Sequence, residues 1–456
     1  MKLNFNQNLF KKHNISGPRY TSYPTAPHFH SNISSEDRLR AIQRSNNSEK
    51  NLSLYFHIPF CHSLCYFCGC TMKVTRNQEI IRRYLSSLYK EIALTSENIN
   101  SNRKVTQIHF GGGTPNFLTP QQILEIGELL KSKFLFSDRA EISCEVDPRT
   151  FSKEQLTALQ SMGVNRISLG VQDFNPQVQK KINRINSYNM VEKIVSMLRS
   201  SGIEAINFDL IYGLPGQTVD SFDTTLDKII SLNPSRLAIY NFAYIPWVKP
   251  HQKLIRENEL PSPETKFTLL QLMIEKLTNC GYEYIGMDHF AKENDDLTLA
   301  QSQGTLYRNF QGYSTQKDTD LFGFGLTSIS QFGDAYFQNH KEFRSYYQSL
   351  DNDELPLSKG LVMTESDKQV YTIIMSLMCN MELNYESISK QIGIDFEHIY
   401  SRELAEIKKD FSLDGLVTFT DDGMKITNSG RLYIRNIAMK FDKYLTIDNS
   451  LYSKTV

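Results

Sequence analysis

The chain has 456 residues, 40% hydrophobic and 22% charged, and fifty basic side chains balance fifty acidic ones. A single core rarely grows past about 250–300 residues, so one large domain and a smaller one are expected. Zero formal net charge argues against nucleic acid or an anionic membrane as a whole-chain partner, and no apolar run reaches the roughly 18 residues of a membrane span.

The opening MKLNFNQNLFKKHN has no apolar h-region and no small-residue cleavage site. No secretory signal is read there, and the cytoplasm is the expected compartment. Residues 1–50 are polar around GPRYTSYPTAP. Its prolines and tyrosines predict an extended arm docked on the rest of the chain, the alternative being a disordered leader.

A strand–helix rhythm begins near residue 52. SLYFHIPF reads as a strand and RNQEIIRRYLSSLYKEIALTSENI as a helix. VTQIHFGG, AEISCEVDP, NRISLGVQ, EAINFDLIYG and SRLAIYNFAY read as further strands. Helical segments follow each, including SKEQLTALQSMG, which ends at Gly163. YEYIGMDHFA reads as one more strand. Strands alternating with helices of this length predict βαβ units on a parallel sheet, and six or seven units suggest a full or partial (β/α) barrel. In such barrels chemistry sits at the C-terminal ends of the strands. The unusual residues fall there: Cys61 after YFHIPF, GGGTP after QIHF, Glu145 and Asp147 in EVDP, Gln172 and Asp173 in GVQD, Asp209 and Tyr212 in FDLIYG.

From about residue 362 the rhythm changes to two helices, two short strands around DDG, and a final helix, GRLYIRNIAMKFDKYL. That order resembles a winged-helix domain, here without a strong Lys/Arg stripe, so no nucleic acid is expected on it. The expected division is an arm over 1–50, a barrel over 51–361 and a mainly helical domain over 362–456.

Four of the seven cysteines lie in CHSLCYFCGC, with Cys61, Cys65 and Cys68 spaced C-x3-C-x2-C and Cys70 adding C-x-C. Clustered thiols suit an iron–sulfur cluster or zinc, and spacing alone leaves zinc open, although zinc usually takes two separated pairs. The glycines of GGGTP, residues 111–115, let a backbone approach a ligand closely, and an ordinary tight turn reads the same way.

The cysteine loop after the first strand of a βα barrel resembles the radical S-adenosylmethionine (SAM) superfamily. That resemblance implies a partial (β/α)6-type TIM-like barrel, a [4Fe–4S] cluster on Cys61, Cys65 and Cys68 with one iron open to SAM, and Phe67 beside the last ligand. YFHIPFCHSLCYFCGC, HFGGGTP, EVDPR, GVQDF, NFDLIYGLPGQT, GMDHFA, RNFQGYSTQ and SGPRYTSYPTA are similar to the oxygen-independent coproporphyrinogen III oxidase family from about residue 15 to 445. Haem-chaperone relatives share the loop and barrel but lack the arm and usually the CGC ending. The family resemblance implies two SAM molecules. Tyr55, Gly112, Glu145 and Ile329 match contacts to the SAM on the cluster. Phe67, Gly113, Thr114, Gln172, Arg184, Asp209 and Ala243 match contacts to the second. Tyr55, Glu145 and Arg184 are the expected catalytic set. Phe110 and Gly216 stand where other members have Trp and Lys, away from the expected chemistry. The implied reaction turns two propionates of coproporphyrinogen III into vinyl groups without O2. Its implied partners are an electron donor such as a flavodoxin or ferredoxin and an unidentified electron acceptor, with the chain a monomer that spans no membrane.

Overall fold

A computed structural model describes residues 5–445 and 452–455. The first four residues of the arm, and residues 446–451 and 456 of the C-terminal segment, lie outside that description. Six parallel strands form the centre: β1 (Asn51–Ile58), β2 (Lys104–Gly112), β3 (Leu135–Val146), β4 (Arg166–Gln172), β5 (Ala205–Tyr212) and β6 (Arg236–Asn241). Each pairs with the next in register order, Leu54 opposite Ile108 and Leu169 opposite Phe208 among them. The α/β class and the parallel-rich sheet agree with the sequence reading.

The helices between strands start and stop where local chemistry tells them to. Lys153–Met162 begins on a capping box, Ser152 with Gln155, and ends at Gly163 with φ +102°. That left-handed C-cap costs glycine little and other residues more. Pro120–Lys133 and Val219–Leu232 open on capping boxes at Thr119 and Thr218.

Alternation along the strands sorts two faces. Ile108, Ile142, Ile167, Leu169, Ile206, Phe208, Leu237 and Ile239 are buried under the helices. The intervening side chains turn to the concave face, and they are polar: Gln107 and His109 on β2, Glu141, Ser143 and Glu145 on β3, Arg166 and Ser168 on β4, Asn207 and Asp209 on β5, Arg236 on β6. Parallel strands usually read as continuous apolar runs because both faces are covered. Here one face lines a cavity.

The sheet does not close. A seventh parallel strand, Thr319–Phe324, pairs with β1 on the side away from β2, and antiparallel strands Ile329–Phe332, Ala335–Gln338 and Lys359–Val362 extend that edge. At the other edge YEYIGMDHFA is not one strand. It is a hairpin, Tyr282–Gly286 and His289–Lys292, whose second strand runs antiparallel to β6. Its turn residues, Met287 and Asp288, both take positive φ and carry no Asn-Gly signal.

The arm is docked, and it is not wholly extended: helices Gln7–His13 and Ser35–Asn47 flank the PRYTSYPTA stretch. Tyr20 and Tyr23 have no solvent exposure. Tyr20 donates to Asp442 Oδ2 (2.9 Å), and the Tyr23 hydroxyl accepts from the Lys443 N–H (3.2 Å). Arg435 donates to the Pro18 carbonyl (2.7 Å) and to that of Gly17. The C-terminal segment thus clamps the arm. That segment holds helices Glu365–Asn380 and Tyr385–Ile392 and a three-stranded sheet in the order Glu382–Asn384, Gly423–Ile426, Val417–Thr420. The expected last helix is broken into helical turns Ser429–Tyr433, Ile434–Ala438 and Met439–Phe441. Every residue of Ile434–Ala438 is buried, and its packing, not helix propensity, sets its backbone.

Candidate active site

The concave face and the loops at its C-terminal rim enclose a cavity of about 470 Å3, within the range of ligand-binding pockets. The loop after β1 brings Cys61, Cys65, Phe67, Cys68 and Cys70 to its wall. All four thiols are free. Thr114 Oγ1 lies 3.4 Å from Cys61 Sγ, while burial pushes that thiol up to about 11. Cys65 is buried and faces two guanidinium groups, Arg149 Nη2 at 3.6 Å and Arg184 Nη1 at 3.5 Å. Asp147 Oδ2 holds both cations, at 2.6 and 3.2 Å. Cys68 accepts the Cys70 N–H (3.4 Å); its hydrogen bond with the Cys70 thiol, against the cost of burial, draws it down to about 7. The thiols nearest the cavity are therefore set in distinct fields.

The loop is pinned from outside. Gln252 Nε2 donates to the carbonyls of Phe67 (3.0 Å) and Ala243 (3.2 Å), and Lys249 Nζ donates to that of Cys70 (3.1 Å). These ties come from the segment after β6, far off in sequence.

The GGGTP turn owes its glycines first to packing. A Cβ on Gly111 would meet Glu145 Oε1 at 2.8 Å; on Gly112, the His57 ring at 2.7 Å; on Gly113, the Phe60 carbonyl oxygen at 2.8 Å. Gly112 also sits at φ +114°. The Gly112 N–H donates to Glu145 Oε2 (3.3 Å) and the Gly113 N–H to the Ile58 carbonyl (2.8 Å). Gly112, Gly113 and Thr114 still border the cavity.

Glu145 Oε1 lies 3.2 Å from His109 Nε2. Asp209 accepts from Ser168 Oγ (2.7 Å) and Asn207 Nδ2 (3.0 Å), and burial, then the Glu145 charge, raises its carboxyl to about 6. Arg184 Nη2 donates to the Gly170 carbonyl (2.7 Å). Gln172 sits at φ +68°, a strained position for a residue other than glycine and one that clusters at functional sites. Together Cys61, Cys65, Cys68, Phe67, Gly112, Gly113, Thr114, Glu145, Gln172, Arg184 and Asp209 share this cavity. Tyr55, Ala243 and Ile329 are not on its wall. Tyr55 stacks on His109 at 5.9 Å, with its hydroxyl 3.1 Å from His57 Nδ1. Ile329 packs beside Phe29 and Tyr336.

The reading by motif missed Arg149 as a partner of Cys65 and the whole inner layer of Glu141, Arg166 and Arg236, where Arg166 Nε reaches Glu141 Oε2 at 3.0 Å. The polar residues alternating in EISCEV, RISLG and RLAIY carried that signal.

Among the described residues no group of three His, Cys, Asp or Glu side chains converges on a point where one metal ion would sit. Three thiols spaced C-x3-C-x2-C on the wall of one cavity are the soft donor set that an iron–sulfur cluster takes. Carboxylates at Glu145 and Asp209 beside a glycine turn suit the hydroxyl and ammonium groups of SAM. The donor set fits the cluster and its cosubstrate.

The description "Radical SAM superfamily" matches residues 55–229. An oxygen-independent coproporphyrinogen III oxidase from Escherichia coli (strain K12) is 45% identical over 96% of this chain and 95% of its own length. One from Helicobacter pylori (strain J99) is 44% identical over 98% of both. The chain belongs to this family. A solved coproporphyrinogen III oxidase from Escherichia coli, described as a radical SAM enzyme, superposes with a TM-score of 0.93 at 43% identity, covering 98% of this chain and all of that one. As an oxygen-independent coproporphyrinogen III oxidase family member, the chain is a radical SAM protein, whose enzymes use a [4Fe–4S] cluster and SAM. Among the described residues no helix is long and apolar enough to cross a membrane.

Proposed function

We propose that this chain decarboxylates two propionates of coproporphyrinogen III to vinyl groups, giving protoporphyrinogen IX without O2. What carries the reading is the meeting of the CHSLCYFCGC loop and the GGGTP turn on one cavity, in a chain whose near full-length relatives bear that activity in their names.

Cys61, Cys65 and Cys68 would hold the cluster, and Cys70 would stay a neighbour. Tyr55, Gly112, Glu145 and Ile329 would serve the SAM at the cluster; Phe67, Gly113, Thr114, Gln172, Arg184, Asp209 and Ala243 would serve a second SAM. When bound, the cluster and SAM supply an electron and a carbon-centred radical able to take hydrogen from an unactivated C–H bond. The chain's own part is placement and charge. Arg149 and Arg184 direct N–H groups at Cys65, stabilising negative charge on that sulfur. Glu145 and Asp209 accept hydrogen bonds from hydroxyl or ammonium groups. Each propionate gives up a hydrogen atom, an electron and CO2, so an electron acceptor is required, and a flavodoxin or ferredoxin suits the donor's role. The division into arm (1–50), barrel (51–361) and C-terminal domain (362–456), a monomeric state and a cytoplasmic location belong to the same reading. The division is supported by the buried arm, which bonds to the C-terminal segment through Tyr20 and Pro18 and to residue Asp288 of the barrel range through Arg19.

The test is anaerobic. Reconstituted with iron and sulfide and supplied with SAM, reductant and coproporphyrinogen III, the chain is expected to form protoporphyrinogen IX. An intact cluster with no such product overturns the reading, and haem binding without decarboxylation would place the chain with the haem chaperones.

A further inference from the structure

Three motifs find no role in the cysteine loop or the glycine turn: PRYTSYPTA, GMDHFA and RNFQGYSTQ. The fold brings them together at the same cavity, with His289, Gln311 and Tyr313 on its wall and Arg308, Arg19 and Asp288 off it. The Arg19 guanidinium pairs with Asp288. Asp288 stands at φ +71° in the turn that leads into His289, backbone strain that the surrounding structure must over-determine. A second hairpin, Tyr307–Asn309 with Gly312–Ser314, lies alongside. Its Tyr313 ring meets His289 edge-on at 5.4 Å, and the Tyr240 ring approaches His289 at 6.2 Å. Tyr240, His289, Gln311 and Tyr313 all line the cavity.

Arg308 lies over the Tyr313 ring, 4.6 Å from its centroid, and is only 2% exposed. Its Nε and Nη1 are buried without a hydrogen-bond partner, and so is Gln311 Nε2. Among the described residues no carboxylate comes within ion-pair distance of Arg308. Its neighbours are already occupied. Arg19 is held by Asp288, Arg435 by backbone carbonyls, and Arg236 by Asp295 at 2.7 Å. A buried cation with free N–H groups is costly unless an acceptor arrives. The planar guanidinium fork and a free amide N–H together fit a carboxylate.

We propose that Gln311 on the cavity wall and Arg308 over the ring of Tyr313 form a carboxylate-binding site for a propionate that the product retains. This rests on the substrate assigned above. Two of the four propionates of coproporphyrinogen III survive the reaction, and a buried receptor suits one that is kept, not one that leaves as CO2. Holding it sets which of the remaining propionates faces the cysteine loop. Arg308 and Gln311 are therefore positioning residues for the substrate.

The test uses the reconstituted full chain, with coproporphyrin III and its tetramethyl ester as fluorescent probes. The acid is expected to bind the wild type at least roughly tenfold more tightly than the ester. Arg308→Met is expected to lose about tenfold in affinity for the acid and none for the ester, and Gln311→Leu about threefold. In turnover, KM for coproporphyrinogen III rises by the same factors while SAM affinity and cluster absorbance stay at wild-type values. Arg308→Lys, which keeps the charge but not the fork, is expected to fall between. Folded, cluster-loaded Arg308→Met that binds the acid like the wild type overturns the inference. Should that variant not fold, wild-type affinity in both Gln311→Leu and Arg308→Lys does so. A wild type that makes protoporphyrinogen IX while these variants keep its KM refutes this site alone; a wild type that makes none refutes the function.

Discussion

Two walls of one cavity are built in opposite ways. The cysteine wall comes mostly from ten consecutive residues, 61–70, and the turn at 111–115, with Asp147, Arg149 and Arg184 closing around Cys65. Another wall draws Tyr240 from β6, His289 from one hairpin and Gln311 and Tyr313 from another, and off that wall Asp288 holds Arg19 of the arm and Arg308 lies over Tyr313. Ligation needs sulfurs at fixed short spacing, which a local loop supplies. Recognition of a broad, multiply charged substrate needs charges far apart, which only distant segments supply.

The comparison breaks most sharply at Cys65. Cys65→Ala is expected to abolish cluster assembly and turnover while circular dichroism keeps the folded signal, because the loop is also pinned by Gln252 and Lys249. A variant with full iron content would deny Cys65 its place. Next comes removal of residues 1–30. It takes away two fully buried tyrosines and Arg19, and it is expected to abolish turnover with the cluster still loaded. Unchanged turnover would show that the arm is dispensable. Arg149→Met asks whether the cysteine wall is tuned as well as built. Losing one N–H toward the Cys65 sulfur is expected to make the cluster's midpoint potential more negative, measured by redox titration followed by electron paramagnetic resonance. An unchanged potential would reduce Arg149 to a partner of Asp147.

The smallest effect is pH-dependent. Asp209, raised to about 6 first by burial and then by Glu145, ionises as pH climbs through that value. SAM binding is expected to tighten a few-fold between about pH 5 and 7, and Asp209→Asn to flatten the curve. Stability runs the other way. A carboxyl whose folded pKa is raised favours the folded state below about pH 4, and that contribution drains as pH rises through 6. With the group open to the cavity it amounts to roughly 1–2 kcal/mol. Thermal unfolding of the wild type and Asp209→Asn across this range checks the sign.

The central architecture was legible because its signals are local. The strand–helix rhythm, apolar runs such as those around QIHF and INFDLIY, and Gly163 after its helix each specify an element from neighbours within a few residues. The edges were not. Tyr282–Ala291 reads as one strand because Met287 and Asp288 carry no Asn-Gly or Asp-Gly pair, and the strand Thr319–Phe324 becomes parallel to β1 through a pairing across more than half the chain. The broken last helix follows from burial around Ile434–Ala438. Of the expected site residues, those in strand-end motifs meet on the cavity wall, whereas Tyr55, Ala243 and Ile329 stand behind or beside it.

By itself, then, the sequence determined the parallel α/β centre and the three spaced thiols, since periodicity and ligand spacing are properties of short segments, and its motifs carried the resemblance to the family. Only the tertiary structure decided that the three glycines of the turn yield to His57, Phe60 and Glu145, that two arginines converge on one cysteine, and that the arm reaches Asp288. Those facts depend on distances between residues far apart in the chain, which packing sets and no local pattern encodes.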